Sequence, residues 1–183
     1  MGYALALNNA WERLEKESPG KNFKVCLLGD EYSVDIANRI ILSLSCNAPS
    51  KDFISILILH YLEKKTKNLP AKTNQWLSFK EIPASLGYYP AFRKRVIEPI
   101  LRKYGACPQA LLEKASRFDA KSVEYGDVGI VIETFKEIPI LITFWRSDEE
   151  FGSEANVLFD KSILEIFCTE DIIVLAEFVA RVI

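Results

Sequence analysis

The chain has 183 residues, 49% of them hydrophobic and 26% charged, with a formal net charge of −2. These are the proportions of an ordinary globular protein, long enough to bury a core without disulfide or metal staples. The slight acidity argues against a general nucleic-acid binder, which needs a basic surplus. The longest apolar run, Ile54 to Leu59 with Ser55 inside it, falls far short of the ~20 residues of a membrane span. The start, Met1-Gly2-Tyr3, has neither the basic nor the apolar region of a signal peptide. A cytoplasmic protein without membrane contact is expected. Cys26, Cys46, Cys107 and Cys168 form no C-x-x-C unit, and reduced, mostly buried thiols are expected.

Residues 3–16 place Leu5, Leu7, Ala10, Trp11 and Leu14 on or near one helical face, and Pro19-Gly20 ends that helix. A strand from Phe23 to Leu28, a turn at Gly29-Asp30, a return strand from Glu31 to Ile36 and a third from Arg39 to Leu44 predict an antiparallel meander. Ser50 is placed to cap a helix whose body, Phe53 to Leu62, is apolar almost all round and therefore central. Residues 66–90 hold Pro70, Pro83 and Pro90 and one short apolar piece, Gln75 to Phe79, that suits an edge strand. A helix over 91–104 follows, started by Pro90, kinked at Pro99 and stopped by Gly105. Pro108 opens another helix, reaching about Phe118.

Alternation of Val128, Ile130 and Ile132, then of Ile140, Ile142 and Phe144, predicts a hairpin turning near Lys136-Glu137. Thr169 is placed to cap a final helix, with Glu170 and Asp171 in its first turn and Ile172, Leu175, Ala176, Val179 and Ile183 as its buried stripe. Together these elements predict one α+β domain over residues 1–183: an antiparallel sheet of about five strands, meander plus hairpin, packed by about five helices.

Several ordered phrases carry a family resemblance. They are Leu28-Gly29-Asp30-Glu31-Tyr32-Ser33-Val34, Ile58-Leu59-His60-Tyr61-Leu62, Trp76 to Pro83, Asp148-Glu149-Glu150-Phe151, Ala155 to Asp160, and Thr169-Glu170-Asp171-Ile172. In this order they resemble the uncharacterised family catalogued as domain of unknown function 3786, over nearly the whole chain from Trp11 onward. The resemblance implies a protein of anaerobic bacteria and archaea with no established activity. Some relatives carry an added cysteine-rich iron–sulfur module of the kind found beside corrinoid proteins, which this chain lacks.

Four constellations could carry chemistry. Asp148, Glu149, Glu150, Glu154 and Asp160 crowd the end of the apolar strand that finishes at Trp145-Arg146. Such carboxylates can hold a hard cation or form an acid–base pair, with Asp148, Glu150 and Asp160 as the metal candidates. A solvated turn is the plainer reading. Asn156 and Asp160 bracket Leu158 and Phe159, where they can brace a loop or meet a ligand. His60, the sole histidine, is a possible general base, though a core histidine bonded to backbone is favoured. Finally, Tyr88 to Arg95 interleaves Tyr89 with Arg93 and Arg95, a mixture that suits an anionic ligand or an acidic partner surface.

The chain has no phosphate-binding loop, dinucleotide fingerprint or nucleophile elbow. A non-catalytic module binding a small molecule or a protein partner is therefore the leading expectation. The alternatives are an enzyme using the acidic 148–160 loop with a divalent metal, and a protein handling a corrinoid or other cofactor in an apolar pocket near Trp145 or Trp76.

Overall fold

The computed structural model describes residues 2–118, 120–146 and 152–183. Helix α1 (Gly2–Glu17) buries Ala10, Trp11 and Leu14. Leu5 lies about 200° around the helix from Leu7, off the packed stripe, and is exposed. The meander follows as β1 (Asn22–Leu27), β2 (Asp30–Asp35), β3 (Ile40–Ser43) and the two-residue β4 (Ala48–Pro49), in that spatial order. Its first turn sits one residue earlier than expected. Leu27 pairs with Asp30, so the loop is Leu28-Gly29, with φ of 49° and 76°. A two-residue hairpin loop of this hand needs both φ values positive. Glycine meets that demand freely, whereas Leu28 is held there by burying its side chain and donating its N–H to the Thr134 carbonyl at 2.8 Å.

Helix α2 (Asp52–Lys65) is buried at every position from Ile54 to Leu59 and again at Tyr61 and Leu62, as its all-round apolarity demands. Ser50 does not cap it. The N-cap is Lys51, which makes no side-chain cap bond, and the Ser50 hydroxyl pairs with that of Ser55. After the irregular stretch, β5 (Trp76–Ser78) forms a sheet edge. Helix α3 (Tyr89–Phe92), a π-type turn (Arg93–Ile97) and α4 (Glu98–Tyr104) then run on without a break. The widened turn, in which Glu98 N–H donates to the Arg93 carbonyl, is the adjustment that Pro99 requires. Proline brings no N–H and its ring would strike a carbonyl one α-turn back.

Helix α5 (Gln109–Ala115) leads to β6 (Lys121–Val123), the hairpin β7 (Val128–Phe135) and β8 (Ile138–Trp145), β9 (Glu154–Asp160) and α6 (Thr169–Val182). The second sheet runs β5-β9-β8-β7-β6, antiparallel throughout.

The α+β class expected from sequence holds. The meander and the hairpin occupy two sheets, of four and five strands, where the sequence suggested one of about five. The reason is that β7 is flanked by β6 and β8. Because β6 pairs only with Gly129–Val131, the far end of β7 stays open, and Leu28 meets it there with one hydrogen bond. A continuous apolar cluster joins α1, the meander, α2 and α6 to the inner face of the second sheet, including Ile130, Ile132, Ile140, Ile142, Phe144, Val157 and Phe159. The thiols are free, as expected, but all four cysteines are exposed where burial was expected. Cys26, for example, alternates outward between buried Val25 and Leu27. No helix among the described residues is long and apolar enough to cross a membrane.

Candidate functional site

Where α1, α2, α3 and α6 come together they leave a groove of about 760 Å³. Its floor is apolar, from Phe53, Ile56 and Leu57 of α2 and Ile173 and Val174 of α6. Tyr3 and Ala6 of α1 form one wall, while Tyr88, Ala91 and Arg95 form the opposite one. That second wall is anchored from behind. Phe92 stacks on Phe79 with centroids 4.1 Å apart and also meets Phe159, so α3 is clamped to the sheet.

At one end of the groove, polar groups from α2 and from the cap of α6 converge on one oxygen atom. Asp171 Oδ2 accepts from His60 Nδ1–H at 2.8 Å, from the Cys168 backbone N–H at 3.3 Å and from the Cys168 thiol at 3.2 Å. The other ring nitrogen, His60 Nε2, accepts from Arg13 Nη2 at 3.2 Å. A guanidinium can only donate, so this contact assigns the proton to Nδ1 and makes the imidazole neutral. Arg13 is itself paired to Glu63 at 2.9 Å. The result is a chain of bonds from Glu63 through Arg13 and His60 to Asp171, tying α1, α2 and α6 together. Asp171 is buried, and His60 retains 20% side-chain exposure toward the groove.

Cys168, not Thr169, is the N-cap of α6, with Asp171 returning the bond as a capping box. Thr169 is diverted, its hydroxyl donating to the Pro83 carbonyl at 2.9 Å. Although Cys168 is exposed as a residue, partial desolvation of its sulfur pushes the thiol up, and the neighbouring Asp171 carboxylate adds to the shift. The Asp171 backbone N–H pulls the other way, and the thiol settles at about 11. Cys168 is therefore a protonated donor near neutral pH.

Of the residues singled out from sequence, His60 and Arg95 line this groove. Arg95 pairs with Glu177 at 3.1 Å and Arg93 with Glu98 at 3.8 Å, so these two arginines meet carboxylates of their own chain. Tyr89 points elsewhere. With Asn156 it lines a separate cavity of about 190 Å³, and Lys80 Nζ lies 4.3 Å from its ring centroid. Trp145 is partly exposed at the end of β8 and packs over Gly126, and the Arg146 backbone N–H donates to the Asp127 carboxylate at 2.7 Å. Neither Trp145 nor Trp76 lines the groove. Asp148, Glu149 and Glu150 lie outside the described residues.

Asp160 is 2% exposed. Its Oδ1 accepts from the Thr73 N–H, the Thr73 hydroxyl and the Ser162 N–H at 3.0, 3.0 and 2.9 Å, and its Oδ2 accepts from the Asn74 N–H at 2.7 Å. Burial alone would raise this carboxyl, but the bonds from Ser162 and Thr73 outweigh it and hold it below its ordinary value. Asp160 braces the loop before β5, the structural role weighed for it above. Among the described residues, no group of three or more His, Cys, Asp or Glu is arranged to hold a metal ion.

Sequence reasoning did not select Cys168, Asp171, Glu170, Glu177, Arg13 or Tyr3 as site residues. The Cys-x-x-Asp spacing at a helix start was the available local signal for the first two. A model of the family described as Domain of unknown function (DUF3786) matches residues 6–182. The chain belongs to that family. DUF3786 carries no assigned activity. No curated protein and no solved structure matches the chain.

Proposed function

We propose that this DUF3786 chain is a single-domain, non-catalytic binding module whose helical groove takes a small organic ligand. The observation that carries the reading is the groove itself: an apolar floor with polar groups converging at one end, in the volume range of small-molecule sites. The chemistry of those groups favours binding over turnover. Both nitrogens of His60 are already bonded, so it is not a free base, and the Cys168 sulfur is held as a thiol. The setting proposed with it is the cytoplasm of an anaerobe. It rests on the family resemblance and on four unpaired thiols, which suit a reducing compartment.

The test is native mass spectrometry of anaerobically purified protein beside an Ala91→Trp variant, whose indole would fill the groove from its wall. The expected result is a bound small molecule on the native chain that is absent from the variant. A clean apo mass, together with no thermal shift on adding a metabolite extract, would overturn the reading.

A further inference from the structure

The charges around the groove do not balance. Arg95 is neutralised by Glu177 and Arg13 by Glu63. Asp171 is buried against a histidine that its second contact fixes as neutral. Glu170 lines the same end and is exposed, with the Tyr88 hydroxyl 3.5 Å from its Oε1. Among the described residues, no Lys or Arg lies within ion-pairing distance of either carboxylate. The N-terminus of α6 offsets only about half a charge. The groove end thus holds a net negative charge beside apolar floor, and the Tyr3 and Tyr88 rings line the same cleft, while the Phe53 ring is already faced by Arg181 at 5.9 Å. Aromatic faces are negative and attract cations.

Resting on the groove reading above, we infer that its ligand is an amphipathic organic cation. An apolar body lies along Phe53, Ile56 and Val174, and an ammonium head sits at the Glu170 and Tyr88 end. A carboxylate or phosphate head would meet Glu170 and Asp171 with like charge. The groove volume fits one such molecule.

Three probes of one shape separate the possibilities: phenylbutylamine, phenylbutanol and phenylbutyrate, titrated calorimetrically into the native chain, Ala91→Trp and Glu170→Gln. Glu170 is exposed, so its amide variant leaves the fold intact. The amine should bind about tenfold tighter than the alcohol, the alcohol tighter than the carboxylate, and Ala91→Trp should abolish all three. Glu170→Gln should lower amine affinity at least about threefold and leave the alcohol unchanged. If the alcohol or carboxylate equals the amine and Ala91→Trp blocks it, the groove reading stands and the cation inference falls. An amine preference that Glu170→Gln leaves untouched also sinks the cation inference. Absence of binding by all three probes, or binding that Ala91→Trp does not affect, overturns both.

Discussion

Replacing Asp160 by asparagine tests the bracing role most directly. The side chain is almost fully buried, and four donors reach it, three on Oδ1 and one on Oδ2. Asparagine offers one acceptor oxygen. The cheaper orientation keeps the three bonds at Oδ1 and turns an amide NH₂ toward the Asn74 N–H, donor against donor. Losing one charge-assisted bond and leaving a buried N–H unsatisfied costs about 2–4 kcal/mol. Urea unfolding at neutral pH should show that loss with an unchanged denaturant slope.

The pH dependence fixes the sign. The Asp160 carboxyl is lowered in the folded state from its ordinary value of 3.8. Its stabilising contribution is therefore complete above that ordinary value and is lost as pH falls through the lower folded one. The difference between native and variant should be full at neutral pH and shrink below roughly pH 4. A difference under about 0.5 kcal/mol at neutral pH, or one that does not narrow in acid, would refute the reasoning.

Three further outcomes are expected. At mildly alkaline pH, iodoacetamide should modify Cys168 more slowly than the exposed Cys26 and Cys107, and Asp171→Asn should speed that reaction; equal rates by peptide mapping would contradict the thiol's raised position. A double-mutant cycle of His60→Ala and Asp171→Ala should give a coupling of about 1–3 kcal/mol in unfolding experiments, and strict additivity would deny the shared bond. Gly126 has φ of +68°, and an added Cβ would lie 2.9 Å from the Phe144 carbonyl. Gly126→Ala should therefore destabilise by about 1–3 kcal/mol, read as a lowered melting temperature.

Much of the architecture was legible because it is written in local periodicity. The unbroken apolar body of α2 announced a central helix, and the stripe from Ile172 to Ile183 announced one face of α6. The alternation in β7 and β8 announced their hairpin. What failed was of two kinds. One-residue shifts arose where two local devices compete. Leu28-Gly29 wins over Gly29-Asp30 because a hydrogen bond to the other sheet holds Leu28, and Cys168 caps because the Thr169 hydroxyl has gone to Pro83. The larger miss was the site. His60 and Asp171 lie 111 residues apart in sequence, and no periodicity reports a meeting at that distance. His60 read as a core residue because its helix is core. That it keeps one edge on a groove follows only from how α1, α3 and α6 are set around it.

The pairing of β5 with β9 and the burial of α2 bear on how the chain is made. Trp76 finds its partner only at Asp160, and Tyr61 of α2 stacks on Phe135 while His60 waits for α6. On a ribosome, α2 emerges long before two of the surfaces that cover it, β7 and α6. Through that interval one of the most apolar segments of the protein has only α1 and the meander for shelter. Folding that waits for partners this distant in sequence is slow. The nascent chain should therefore depend on holding chaperones for α2 until residues beyond 154 are available.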